Sequence, residues 1–528
     1  MARPDLRLTL ALLQGKIYAG KNFDKTHQAI GIAGNKIAIL GADQKVESAS
    51  DTKTKIVNLH QRALLPGFID AHTHFIQMGV SSLHLDLSKT KSLQTLLDRV
   101  ARRCRLARRG EWILAYGWDE SKWPENRYPT LRDLGRISRV NPVWLRRVDG
   151  HMGVANELAL RAARIPKSTR GFEVDDSLKP TGILREDATV IMEERVQPNE
   201  RTMLKGLRKA VRMARRLGVT SIHDMAEPEH IRLYRRLARR GRLGIRVYLN
   251  FFETSLRKIL DSEQRTGEGD EHFRLGALKL FADGSLGAHT AALWEPYADA
   301  PKEKGMLIHP QKRLTQLVRQ ADSNGIQLSI HCIGERGIDA ALLALEHGCS
   351  VKTIASRRHR LEHFELIESK AIKQAKRLHL TLSMQPNYVD LWSRHAGMYE
   401  RRLGRKRLRT NNPFRKLLES GLPIAFGSDC MPFSPLYGVY SAVNAPLESQ
   451  RLTVKDAIAC YTAGGAYASF EEDVKGTIDV GKLADLVALS DDPFENPDTL
   501  GAMKVDMTVF DGSVTYVRRS ATDLGVQL

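Results

Sequence analysis

Between Ala63 and Asp429 the chain alternates apolar, strand-like runs with amphipathic stretches of helical spacing, and this alternation constrains the fold more than any other feature. The runs are Ala63–His74, Gly218–Met225, Leu243–Phe252, Leu275–Gly284, Ile326–Gly334, Arg358–Phe364, Leu380–Asn387 and Leu422–Asp429. Segments between them, such as Leu314–Gly325 and Ala371–His379, carry helical spacing and close on glycine or a polar turn. Units of this kind build parallel strands joined by helical crossovers. A count near eight favours an α/β fold of the (β/α)8 TIM-like type; on the count alone an open sheet stays as the alternative.

The two ends read differently. From Leu6 to about Val57 the pattern is short strands and turns, with Gly34-Asn35 as a hairpin signal, and Lys482 to Val517 repeats it with Asp511-Gly512 as the turn. At 528 residues the chain exceeds a single ordinary core. We expect β-rich segments at 1–65 and 471–528 around a barrel at 66–470. A stretch of about 84–195, rich in Trp, Arg and Pro, breaks the rhythm and reads as a long insertion after the first barrel strand. Insertions there lie over the C-terminal face of a barrel, where substrates bind.

A formal net charge of +20 raises the question of a polyanionic partner. The basic residues cluster in helical segments (Arg102 to Arg105, Arg235 to Arg240, Arg401 to Arg409) with no nucleic-acid-binding motif beside them. Solvated helix faces are the expectation, with only weak, salt-sensitive sticking to nucleic acid. Five dispersed cysteines, Cys104, Cys332, Cys349, Cys430 and Cys460, argue against a disulfide framework and for a reducing compartment. The apolar stretch Leu8 to Leu13 is marginal for a secretion signal, and no apolar run is long enough to span a bilayer, so a cytoplasmic location is expected. Homo-oligomerisation is left open.

Chemistry gathers where the strand-like runs end. His72 and His74 stand two apart, so on a strand both imidazoles face one way and can meet one cation. His331, His363 and Asp429 close three further runs. A lone histidine at a strand end is usually a satisfied polar residue. Four histidines and an aspartate at strand ends together form the donor set expected of Zn²⁺ or a similar ion in hydrolysis. Lys279 lies inside an apolar run, where a buried cation is costly. Either it pairs with Asp283, or it is neutral or carbamylated within a metal site. Cys332 and Cys430 each follow a candidate ligand, and strand alternation would point them away from it.

The ordered series of stretches at 64–74, 117–125, 148–160, 181–186, 218–225, 278–287, 330–342, 359–367, 383–388, 423–429, 462–468 and 476–489 resembles the amidohydrolase superfamily. Within it the series is similar to the family-3 group of exo-acting amidohydrolases. The resemblance implies a metal-dependent hydrolase barrel, with a small β-sandwich built from both chain termini. It implies that His72 and His74 bind the more buried metal and that His331 and His363 bind a second. Lys279 takes the place of a bridging, carboxylated lysine, while Asp429 touches metal and shuttles the proton of the attacking water. His151 is a candidate donor to the substrate carbonyl, with a structural role in its loop as the alternative.

Some positions depart from the family pattern: Cys430 where Trp is frequent, Gly334-Glu335-Arg336 where Gly-Asp-Arg is usual, and an acidic Gly171–Gly182 where relatives carry a glycine-rich turn. These bear on the substrate pocket and leave the ligands intact. The implied activity is cleavage of a non-peptide carbon–nitrogen bond, amide or cyclic amide, in a small molecule. The cofactor would be one or two divalent ions, zinc first, with Mn, Fe or Co fitting the same donors. Alternatives are the same site working on an ester or lactone or in deamination, and an idle relative acting as a regulatory binding protein.

Overall fold

Eight strands stand side by side in one parallel sheet, and every run read as a strand in the sequence supplies one of them. In chain order they are β1 (Phe68–Thr73), β2 (Val219–Ala226), β3 (Arg246–Phe252) and β4 (Phe273–Phe281). They continue as β5 (Leu328–Cys332), β6 (Arg360–His363), β7 (Thr381–Met384) and β8 (Ile424–Phe426). All seven ladders are parallel. This computed structural model describes residues 7–120, 123–147, 152–350 and 352–526.

The sheet closes on itself where the residues just after β8 meet β1. The Asp429 N–H donates to the His72 carbonyl at 2.8 Å, and the Ser428 N–H to Asp70 Oδ1 at 2.8 Å. Only glycine permits this approach at position 427, since a Cβ there would lie 2.4 Å from the His72 nitrogen. Crossover helices cover the outside with a standard apolar stripe. The helix Gln311–Ser323 buries Leu314, Leu317, Val318 and Ala321, the spacing of one helix face. With both faces covered, all eight residues of β2 are buried, the polar Thr220, Ser221, His223 and Asp224 among them.

Two further sheets come from the chain ends. The first orders Lys36–Gly41, Ala29–Ala33, Leu10–Leu13 and Lys55–Asn58. The second orders Ser513–Val517, Val505–Phe510, Leu486–Leu489, Ala63–Pro66, Lys16–Ala19 and Lys25–His27, and so mixes both termini. One hydrophobic core joins them: Leu10, Leu12, Ile30 and Ile32 from the first, and Ile17, Leu64, Leu486 and Met507 from the second. Both expected hairpins form, pairing Ala33 with Lys36 and Phe510 with Ser513. Asp511 and Gly512 both have positive φ (+53° and +73°), the backbone that an Asp-Gly turn supplies.

At the start of β3, Arg246 is 1% exposed and bonds the Asp485 carboxylate with two nitrogens (2.6 and 3.1 Å) and Asp511 with one (2.9 Å). It thereby ties the barrel to the C-terminal strands. Arg246→Met would leave the Asp485 carboxylate buried without its cation. We expect a loss of about 3–5 kcal/mol of stability, read by chemical denaturation. A change under 1 kcal/mol would mean water replaces the guanidinium at no cost.

The chain forms two compact units, Met1–Phe75 with Val211–Leu528 and Ile76–Ala210. The second unit departs from the β/α rhythm, as its composition indicates, yet it holds a sheet that the sequence reading did not foresee. Its order is Phe172–Val174, Pro180–Arg185, Met152–Ala155, Val143–Arg147, Ile113–Trp118 and Leu85–Asp86. Its core includes Leu96, Val100, Ile113, Trp118, Leu145 and Val154. Among the described residues no helix is long and apolar enough to cross a membrane.

Candidate metal centre

The C-terminal ends of β1, β5, β6 and β8 bring the predicted ligands together. His72, His363 and Asp429 offer donor atoms that all lie within 4.8 Å of one another. The His331 ring centre is 4.4 Å from that of His363, and the His74 ring centre is 5.9 Å from that of His72. Asp429 Oδ1 sits 3.4 Å from His74 Nε2 and 3.8 Å from His72 Nε2. His151 lies outside the described residues.

Three of the imidazoles are oriented by their second nitrogen. His72 Nδ1 faces Glu362 Oε2 at 2.6 Å, His363 Nδ1 faces Gln385 Oε1 at 2.7 Å, and His331 Nε2 faces the Gly284 carbonyl at 3.0 Å. Each of those oxygens can only accept, so each ring places its proton there and keeps a lone pair on the other nitrogen. That is the tautomer a metal-ligating histidine needs. Burial, reinforced by neighbouring positive charge, drives His331 down to about 3 and His363 well below the ordinary imidazole value. Burial drives His74 down to about 4 despite the Asp429 carboxylate. His331, His363 and His74 are therefore neutral at neutral pH.

Glu362 is the hub behind this set. It is fully buried and also accepts from Ser329 Oγ (2.7 Å) and Arg360 Nε (2.9 Å). Burial alone would raise its carboxyl, but the Arg360 guanidinium and the His72 imidazole hold it well below the carboxylate range. Arg360 donates in turn to His223 Nδ1 at 2.8 Å and to the Ala71 carbonyl at 2.7 Å. Asp224 fixes the backbone after β1 by accepting from the Phe75 N–H (2.5 Å), Thr73 Oγ1 (3.1 Å) and Tyr234 Oη (2.8 Å). The Tyr388 hydroxyl donates to Asp429 Oδ2.

Strand alternation alone would set Glu362 and His363 on opposite faces of β6. His363 has a left-handed φ of +71° and Phe364 one of +46°, so the strand turns at its last residue. Asp429 (+47°) and Cys430 (+59°) turn likewise after β8. Non-glycine residues hold such backbone at a cost, and it gathers at functional sites. The same turn corrects the expectation for Cys430: it stands on no strand, and its Sγ accepts the His74 N–H at 3.4 Å. Cys332 is fully buried in β5, its Sγ 3.9 Å from the Glu362 carbonyl.

Lys279 is 2% exposed, and its Nζ has no hydrogen-bond partner. The Phe281 ring lies 5.1 Å from it. Burial lowers its ammonium to about 8 against the pull of the Glu362 and Asp429 carboxylates. Its amine makes no ion pair with Asp283, whose carboxylate instead accepts from the backbone N–H groups of Ala292 (2.9 Å), Ile333 (3.0 Å) and Gly334 (2.8 Å).

A second group, Asp322, Cys349 and His359, also has donor atoms within 4.8 Å. There His359 Nδ1 accepts the Leu328 N–H at 3.0 Å, so Nε2 carries the proton and donates to Asp322 Oδ1 at 3.2 Å. No imidazole lone pair is left for an ion. This group is a hydrogen-bonded support under β5 and β6.

Residues 55–516 match the Amidohydrolase family along their length. The chain belongs to that family. It is 31% identical over 497 residues to YtcJ of Bacillus subtilis (strain 168), covering 89% of this chain and 92% of that one. It is 28% identical over 521 residues to the N-substituted formamide deformylase of Arthrobacter pascens, covering 93% and 95%. Among solved structures, an uncharacterized metal-dependent hydrolase from Pyrococcus furiosus superposes with a TM-score of 0.80 at 27% identity, covering 92% of this chain and 99% of that one. That Pyrococcus structure is of a metal-dependent hydrolase, and the donor set at the barrel end here fits a divalent ion: donor atoms of His72, His363 and Asp429 converge, the two rings are held from behind by Glu362 and Gln385, and the amine of Lys279 has no hydrogen-bond partner.

Proposed function

We propose that this chain hydrolyses a non-peptide carbon–nitrogen bond, amide or cyclic amide, in a small molecule, using divalent metal. The observation that carries the reading is the convergence of donor atoms from His72, His363 and Asp429, with the outer nitrogens of both rings held by Glu362 and Gln385 and the rings of His331 and His74 alongside. These residues with Lys279 would hold one or two ions, zinc first and Mn, Fe or Co by the same donor chemistry. A divalent ion held there brings the pKa of water toward about 7 and polarises a carbonyl.

The chain's own residues do the rest. Asp429 takes the proton of the attacking water and returns it to the leaving nitrogen, as a general base within hydrogen-bond reach. The water oxygen bonds to the carbonyl carbon, the C–N bond breaks, and the returned proton leaves the nitrogen as a free amine. Glu362 and Gln385 keep His72 and His363 in their ligating tautomers. His151 is proposed as a further donor to the carbonyl oxygen. The amide class rests on the family and on the name of the Arthrobacter relative. We also propose the division 1–65, 66–470 with its insertion at about 84–195, and 471–528. The proposed compartment is the cytoplasm, supported by five free thiols.

The test is a panel of N-formyl amines, N-acyl amines and cyclic amides, with an ester, a lactone and a dipeptide included, offered to metal-reconstituted protein. We expect amine release from an amide, its loss on chelation, and one to two equivalents of metal by elemental analysis. Turnover by metal-free protein, or turnover confined to the dipeptide, would remove the proposal.

A further inference from the structure

Gln385 caps the helix Pro386–Trp392 that follows β7, and the first residues of this helix reach two neighbouring strands at once. Gln385 Oε1 receives the His363 Nδ1 proton at 2.7 Å. Asn387 Nδ2 donates to the carbonyls of Ser428 (3.4 Å) and Pro432 (2.8 Å), which flank Asp429 on both sides. Its own amide oxygen is held by Tyr461 Oη at 3.2 Å. Tyr388 completes the set: its hydroxyl donates to Asp429 Oδ2, and its ring lies within 6° of parallel to that of His363, 6.3 Å away. One short segment thus sets both an imidazole and the carboxylate.

Asp429 needs such a holder. Its backbone is left-handed, and its side chain is 17% exposed, so an unheld carboxylate could rotate toward water. With Oδ2 capped by the tyrosine, Oδ1 is the oxygen left facing His72 and His74. We propose that Tyr388 is a positioning residue for the reaction: its hydroxyl fixes the Asp429 carboxylate in the one orientation from which Oδ1 serves as base. This rests on the function proposed above. The ring itself packs on Trp392, with centroids 4.5 Å apart, so Tyr388→Phe removes the hydroxyl and keeps the packing.

Parent, Tyr388→Phe and Asp429→Asn are compared as full-length protein loaded with Co²⁺, and as metal-free protein in thermal unfolding. We expect Tyr388→Phe to take up the same Co²⁺ with an altered visible absorption band. It should lose about 10–100-fold in kcat on whichever panel amide the parent hydrolyses, with KM within about threefold, since misplacing a catalytic group costs rate more than binding. The metal-free unfolding midpoint should match the parent. A parent that takes up no Co²⁺ would defeat the proposed function and this inference together. A parent-like spectrum and kcat in Tyr388→Phe, with Asp429→Asn altered in both, would defeat the inference alone. So would a fall in the unfolding midpoint with kcat per folded protein unchanged, which marks a structural hydroxyl.

Discussion

Asp429→Asn is expected to lower kcat by about 10²–10⁴-fold, the range a positioned general base contributes, while the barrel stays folded. The amide keeps the size of the carboxylate, and its oxygen can still accept from Tyr388, so the hydrogen bond at the former Oδ2 survives. What is lost is an oxygen able to take a proton beside His72 and His74. The backbone contact that closes the barrel, the residue 429 N–H on the His72 carbonyl, does not involve the side chain. Unfolding midpoints and single-turnover rates measured together separate these effects. Turnover close to the parent would place the base elsewhere, with His151 the next candidate.

Lys279→Ala is expected to remove one metal equivalent and most of the activity. The amine is buried with none of its donors used, among groups that would gather cations. An ammonium in that position is poorly solvated and would be repelled by any divalent ion the histidines held. Attack of the neutral amine on carbon dioxide forms an N–C bond and releases a proton. The product is an anion whose two oxygens offset the metal charge. If so, formate or acetate added to Lys279→Ala restores part of the metal content and part of the rate. The alternative, lysine as a plain structural cation, predicts lower stability with full metal content and no effect of added carboxylate. Intact mass of the metal-loaded parent decides directly: an unmodified chain in a fully active enzyme would dismiss the carbamate.

Much of this was legible in the sequence because local periodicity carries it. The strand period of two put His72 and His74 on one side, and the ends of apolar runs marked His331, His363 and Asp429. The positions that escaped are set by distance along the chain or by backbone turns. Glu362 meets a partner 290 residues away in β1, which no local pattern encodes. The positive φ at His363 and Asp429 is held by tertiary bonds and carries no glycine signal. Tyr388 could be quoted as part of a shared stretch, but its hydroxyl finds Asp429 only after β7 and β8 pair. In the second unit, strands such as Ile113–Trp118 alternate buried and half-exposed residues over too few positions to stand out among Trp, Arg and Pro. The six-stranded sheet there went unread for that reason.

The central claim, a metal centre at the barrel end, is tested most directly by anomalous diffraction from crystals of metal-reconstituted protein, recorded on both sides of the metal's absorption edge. The account predicts one or two peaks among His72, His74, His331, His363 and Asp429, about 2.0–2.1 Å from the imidazole nitrogens, with the Lys279 side chain beside them. A metal-loaded crystal with no peak there, or with its peak at Asp322, Cys349 and His359, would contradict it.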